Sequence, residues 1–215
     1  MGRQYFAFGS LLLVAVVGAA LLVASSRGSG SSGGSGSSGG AQTASAPVLS
    51  GASFTTSYGS GWSLTSASGP HGSRRYQLSS NAAPVSPVGF PTAGGVAITI
   101  DEAPLSLLAH GQLPNANPIR KAKRLTPVAL LPLLLGAPKG AEAISRTALR
   151  QIALGGAEAG EDAYVYIDED RELVQVDVLA EHGGRIVHVE LVSEPGLAPA
   201  GQEALATIIG RWSWH

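Results

Sequence analysis

The stretch that most constrains this chain is an almost unbroken apolar run, Tyr5–Val23, with Arg3 just ahead of it. About 20 apolar residues at a ~1.5 Å rise cover the ~30 Å hydrocarbon core of a bilayer. In lipid a helix is the single segment that satisfies its own backbone hydrogen bonds. The expected anchor residues are Tyr5, Phe6, Leu11, Leu12, Leu13, Val14, Val16, Val17, Leu21, Leu22 and Val23. Arg3 on one flank and Arg27 on the other give a small bias toward N-in, C-out insertion. Val23-Ala24-Ser25 is a small-residue site at which a signal peptide would be cleaved. The run is longer than the usual ~7–15-residue core of a signal peptide, which favours an uncleaved anchor. Both readings put the rest of the chain outside the cytoplasm: tethered to the cell membrane by a single pass, or secreted.

Residues 25–46 are nearly pure Gly and Ser and expected to be a disordered linker, because such a chain has nothing to bury. Gly28-Ser29-Gly30-Ser31-Ser32-Gly33 matches the dinucleotide pattern G-x-G-x-x-G by composition alone, since no strand precedes it and no helix follows. The layout is therefore residues 1–24 as anchor or signal peptide, 25–46 as linker and 47–215 as one domain of ordinary size. A formal net charge of −1 gives no basic field, so no nucleic-acid partner is expected. The absence of cysteine excludes disulfides, lipobox lipidation, thiol catalysis and thiolate metal sites. Gly, Ala and Arg abound while Lys is scarce, as in a GC-rich bacterial genome.

The domain opens with Phe54, Thr56 and Tyr58 alternating with small polar residues, a strand with one buried face. Gly59-Ser60-Gly61 turns the chain, Trp62 and Leu64 begin a second strand, and Arg75–Ser79 supplies a third. Val96–Ile100 is a β-branched strand. Asp101–Asn117 reads as a long irregular excursion. Thr126-Pro127 starts a helix, with a hydroxyl cap and proline at the first position. Leucines cover most of its surface, so it should be buried, and Pro132 should kink it or delay its start. Ala141–Leu154 is helical by the spacing of Ile144, Ala148, Leu149 and Ile152, yet its last part favours a strand entering Gly155-Gly156. Ala163–Ile167, Leu173–Ala180 and Ile186–Val192 form an antiparallel meander with one buried side. Pro199 then opens an amphipathic helix whose stripe of Leu205, Ile208, Ile209 and Trp212 should pack on that meander. The expected core includes Phe54, Trp62, Val187, Val189, Leu205, Ile208 and Trp212.

Phe54-Thr55-Thr56-Ser57-Tyr58-Gly59-Ser60-Gly61-Trp62 resembles the opening motif of PsbP/Mog1/DcrB-like domains: an aromatic strand, a tight turn, then Gly-Trp. The ending, paired strands, a helix and the tail Arg211-Trp212-Ser213-Trp214, is similar to that group as well. Gly59 stands where many relatives have proline. The resemblance spans Val48 to Trp214 and implies an α+β fold, an antiparallel β-sheet flanked by helices as an α/β/α sandwich. The group hosts unrelated roles, so it implies no activity.

No chemical motif is complete, and no catalytic, cofactor or metal residue is assigned. Asp168, Asp170 and Glu172 alternate as oxygen donors would, but a calcium loop needs glycine at its sixth position, here Leu173, so a solvated hairpin turn is expected. His71, His110, His182, His188 and His215 show no i, i+4 metal pair; His188 alternates with Val187 and Val189 and should face solvent. Asp101 and His110 are the residues on which a rival reading, an envelope hydrolase, would rest. Arg120, Lys121, Lys123 and Arg124 form a basic cluster, a solvated lead-in to the leucine helix or a contact for anionic headgroups or cell-wall polymer. Trp214 is the freest of the three tryptophans. The favoured function is a non-enzymatic, membrane-tethered interaction or ligand-binding module of the cell envelope, with the lipid bilayer and an envelope protein or cell-wall polymer as partners. The remaining alternative is a structural spacer with no pocket.

Overall fold

The computed structural model describes residues 46–80, 91, 94–109, 126–135, 142–168 and 170–215. The anchor run Tyr5–Val23, the Gly/Ser linker, His110 and the basic cluster Arg120–Arg124 lie outside them. Among the described residues, no helix is long and apolar enough to cross a membrane.

Two sheets carry the domain. β1 (Val48–Ser50), β2 (Phe54–Ser57) and β11 (Ser213–Trp214) form a small antiparallel sheet in the order β1-β2-β11. The larger sheet contains β3 (Trp62–Ser68), β4 (Arg74–Ser80), β5 (Val96–Pro104), β6 (Glu142–Arg146), β7 (Arg150–Leu154), β8 (Ala157–Asp168), β9 (Arg171–His182) and β10 (Arg185–Ser193). Its order is β3-β4-β5-β10-β9-β8-β6, and β7 pairs with β8 ahead of the segment that β6 covers. Every pairing is antiparallel. The turns follow local chemistry: Gly155-Gly156 and Gly183-Gly184 all have positive φ, which glycine adopts without strain.

One face of the large sheet is apolar. Leu78, Ile98, Ile100, Val176, Val178, Val187, Val189 and Leu191 are buried there. Helix α3 (Ala198–Gly210) covers them with Leu205 and Ile208, lying over β5 and β10, and Trp212 follows directly behind it. The approach is close because Gly201 has no side chain: a Cβ would meet Leu191 Cδ1 at 2.9 Å and Val96 Cγ1 at 3.0 Å. The small sheet closes the rest of this face. Phe54 stacks on Trp212 at 4.1 Å between centroids and meets Tyr76 edge-on at 5.9 Å. Thr56 donates its hydroxyl to the Ile208 carbonyl at 2.7 Å, satisfying an otherwise orphaned acceptor at the helix end.

The opposite face carries helix α2 (Pro127–Leu134), which packs on β8 and β9. Thr126 caps it, accepting from the Ala129 amide at 3.3 Å, so it begins where Thr126-Pro127 predicts and Pro132 does not delay it. Leu130, Leu131 and Leu134 are buried with Leu107, Leu179 and Ile186. Leu133 is 38 % exposed and Pro132 is exposed, so the leucines bury a stripe rather than the whole circumference. Gly160 permits the contact, since a Cβ would come within 2.8 Å of the Val128 Cα. With α3 on one side and α2 on the other, the domain is an antiparallel sheet between helices.

Several expectations are corrected. The ambiguous stretch is strand at its end, β7, as favoured, and its earlier part is strand as well, β6, where the spacing suggested helix; that apolar spacing of three and four residues is compatible with strands interrupted at 147–149. Val96–Ile100 continues as strand through Pro104, and Ser106–Ala109 forms a short helix α1, so the first part of the expected irregular stretch is regular, and its remainder lies outside the described residues. Trp62 is half-buried at the outer strand β3 and only flanks the core. The meander is buried on both sides, with an unbroken run of eight buried residues in each of β8 and β9. Phe54, Val187, Val189, Leu205, Ile208 and Trp212 are core, as expected.

Candidate ligand cavity

The second face carries a row of acidic residues, among them the buried Asp162 and Asp177. Pairing places Thr99, Glu190, Asp177 and Asp162 side by side across β5, β10, β9 and β8. The next row runs Arg75, Asp101, His188 and Leu179. Carboxylates at three consecutive places in one row are costly to bury unless each finds donors.

Two of them do so completely. Asp177, fully buried, accepts from Tyr164 Oη at 2.8 Å, from Gln175 Nε2 at 3.1 Å and is joined to His188 Nε2 at 2.8 Å. Asp162 is clasped by both Arg146 Nε and Nη2. Burial works to lower the His188 basicity, but the hydrogen bond and charge of Asp177 prevail and hold it above the ordinary imidazole value. Burial, reinforced by Asp177, raises Tyr164 so that it stays a neutral donor. His188 is thus not solvent-facing: its side chain is 17 % exposed. Alternation places it opposite Val187 and Val189, as expected; that face is simply covered as well.

Glu190 differs. Its described partner is the Gln175 amide, which donates at 2.9 Å and bridges it to Asp177. Burial pushes its pKa up to about 7, with Asp177 and Asp101 adding to the shift while His188 and Arg75 oppose it.

Glu190 and His188 line a cavity of about 480 Å³ at this edge of the face. Leu134 and Leu135 at the end of α2, with Ala103, Leu179 and Ile186, give it an apolar wall; the rim carries Arg74, Arg75, Asp101 and Glu102 beside the β3–β4 turn residues Ser68, Gly69 and Ser73. Such a volume and mixture suit a small ligand. Asp101 holds Arg75 in both carboxylate oxygens, at 2.7 and 2.8 Å. It therefore orients a guanidinium, where the hydrolase reading wanted a histidine.

The remaining sites are structural. Asp168 pairs with Arg171 at the end of the β8–β9 hairpin and Asp170 sits at φ 66°, a turn geometry. His182 stacks on Trp214 at 4.8 Å, and Trp214 Nε1 donates to the Leu154 carbonyl at 2.7 Å, so this tryptophan is pinned rather than free. The His215 amide bonds the Ser53 carbonyl, and His71 occupies the β3–β4 turn. Among the described residues no three His, Asp or Glu side chains are grouped to hold a metal. Sequence reasoning missed Glu190, Asp177 and the cavity. A usable signal was present in the alternation of Tyr164-Tyr166, Gln175-Asp177 and His188-Glu190, polar positions on three neighbouring strands that share one face.

No family model matches the chain, and no curated protein does. Solved structures similar to it include LpqN of Mycobacterium tuberculosis, described as involved in cell envelope biogenesis, at 11 % identity and TM-score 0.47 over 80 % of this chain and 87 % of that one. A second is the cyanobacterial PsbP of Synechocystis sp. PCC 6803, at 12 % identity and TM-score 0.41 over 84 % and 98 %. A third, from Bacteroides thetaiotaomicron, reaches 8 % identity and TM-score 0.41 over 75 % of this chain and 45 % of that one. The group named by the sequence resemblance is thus represented among the structural neighbours.

Proposed function

We propose that this chain is a non-enzymatic ligand-binding module of the bacterial cell envelope, held outside the cytoplasm by Tyr5–Val23 and presented on the Gly/Ser linker. The observation that carries the binding role is the cavity, where a partly accessible carboxylate, Glu190, meets the apolar wall of Leu134, Leu135, Leu179 and Ile186. The non-enzymatic reading is supported by the commitments of the charged groups, since Asp101 is spent on Arg75 and His188 on Asp177. The tether is supported by the length of the apolar run.

Ligand-observed NMR with a fragment library on the full-length chain tests the binding role. Hits are expected, and Ala103→Phe, which puts a ring into the cavity wall, should remove them. A library that yields no fragment sensitive to Ala103→Phe sinks the cavity as the site. For the tether, the intact protein should stay with membranes through a carbonate wash and release its domain to protease added outside the cell. Recovery of a mature chain beginning near Ser26 would replace the anchor by a signal peptide.

A further inference from the structure

The outermost strands of a sheet present unpaired backbone donors and acceptors, and proteins blunt such edges with charge, proline, bulges or shortness. Most edges among the described residues follow that rule. β1 and β11 are three and two residues long. β6 carries Glu142 and Arg146 and shifts register between Ala143 and Ser145, and β7 carries Arg150. β3 does not. It ends the eight-stranded sheet, pairs with β4 alone among the described residues, and keeps unbroken register from Trp62 to Ser68. Its seven residues, Trp-Ser-Leu-Thr-Ser-Ala-Ser, include no charge, proline or glycine, and five of them are exposed. An uncharged, regular edge of this length is a template for another strand. We propose that β3 is a self-association surface, pairing antiparallel with β3 of a second copy about a two-fold axis at Thr65.

The side chains favour a second copy over a foreign strand. With Thr65 on the axis it faces its own copy, a threonine pair of the kind that stabilises sheets. Trp62 then faces Ser68 of the second copy, Ser63 faces Ala67 and Leu64 faces Ser66, so large residues meet small ones. The two Leu64 side chains become diagonal neighbours on one face. Leu64 and Trp62 are half-buried against the apolar core, so the pairing extends that core across the axis. No like charges are brought together, because β3 has none. Ala67, which also lines the cavity, falls beside Ser63 of the second copy, setting a second strand along the cavity's β3 side. A ladder of this length is smaller than the ~1,000 Å² that a stable complex buries, so the pair should be weak and reversible. Confinement of two copies to one membrane, on the tether proposed above, raises their effective concentration.

The chain has no cysteine, so an introduced thiol can bridge only to its own copy. Across the axis the two Thr65 Cα atoms come within ~4.5–5.5 Å, inside the range of a disulfide. Thr65→Cys in the full-length chain in lipid vesicles should therefore oxidise to a dimer. Ser63→Cys alone should not, its copy lying on the order of 13 Å along the ladder, whereas Ser63→Cys with Ala67→Cys should. Thr65 is exposed, so charge can replace it without entering the core. Thr65→Lys and Thr65→Glu should each weaken dimerisation roughly five-fold in sedimentation of the detergent-solubilised chain, and their equimolar mixture should restore it. That rescue is an effect a loss of folding would not give. Equal crosslinking of Thr65→Cys and Ser63→Cys would mean random collision and overturns the pairing. A Thr65→Cys chain that stays monomeric overturns it as well, and leaves the ligand cavity standing.

Discussion

The two faces of the eight-stranded sheet use the same strands for opposite purposes. On the first, Val176, Val178, Val187, Val189 and Leu191 cluster with Leu205, Ile208 and Trp212, and Trp212 stacks on Phe54. On the second, the alternate residues of the same strands are Gln175, Asp177, His188 and Glu190, tied together by hydrogen bonds, and His188 and Glu190 border a cavity of about 480 Å³. Apolar burial contributes about 25 cal/mol per Å², whereas buried carboxylates at best break even against their desolvation. Stability therefore resides on the α3 face, and the α2 face can hold groups whose arrangement costs stability.

The largest effects should come from breaking the first face. Ile208→Ala and Trp212→Ala each remove a buried side chain, 1 % and 6 % exposed, and should cost about 2–5 kcal/mol in a denaturant titration. Arg211→Ala, which loses one exposed hydrogen bond to Ser57, should hardly register. Equal small losses from all three would show that α3 is not the cover of this face.

The asymmetry between the faces also explains what was legible in the sequence. The α3 face was, because apolar period-2 and period-3.6 patterns announce their own burial: Val187, Val189, Leu205 and Ile208 are where their spacing predicts. The α2 face was not, because polar residues alternating with valine carry the same signature whether they face water or a second layer. His188 is the clearest case. Its strand position was right and its surroundings were not, since those depend on α2 and on Asp177, eleven residues earlier and one strand away. Strand β7 was legible where it enters Gly155-Gly156, whereas β6 was obscured for a related reason, its apolar residues being few and set by pairing with β8 rather than by an internal pattern.

An intermediate effect is expected where α2 touches the second face. Gly160→Ala places a Cβ within 2.8 Å of backbone at Val128, which only a shift of the helix relieves. Overpacking of this kind costs about 1–3 kcal/mol. Because Leu134 and Leu135 move with the helix, ligand binding should weaken as well, whereas Gly201→Ala, against flexible ends of Leu191 and Val96, should lower stability without touching the cavity. A Gly160→Ala chain with unchanged melting temperature and unchanged binding would separate α2 from the site.

Glu190→Gln should have the opposite sign. The native Glu190 releases its proton near pH 7, above the unfolded value of 4.5, so the folded chain binds the extra proton between those limits. Its stabilising contribution is then complete below about pH 4.5 and is lost as pH rises through about 7. At pH 8 the variant should be more stable than the native chain by about 1–2 kcal/mol, discounted because the side chain is partly accessible. At pH 5 the difference should shrink toward zero. Parallel stability curves across that window would show that Glu190 is ordinary and the face balanced.

The smallest change in stability, and the sharpest use of the contrast, comes from Arg75→Ala. The Arg75–Asp101 pair is well formed but 42 % and 33 % exposed, and ion pairs of that kind contribute at most about 1 kcal/mol. A thermal melt at pH 7 should therefore move little. The electrostatic consequence is larger than the energetic one, since removing the guanidinium leaves Asp101 as a second uncompensated carboxylate at the cavity. Arg75 holds the Glu190 pKa down and Asp101 pushes it up, so the loss of Arg75 raises it further. The pH at which stability stops falling should consequently move upward, while the onset, set by the unfolded chain, stays in place. A large loss of stability with no movement of the titration would mean that Arg75 works as packing, and that the second face is core after all.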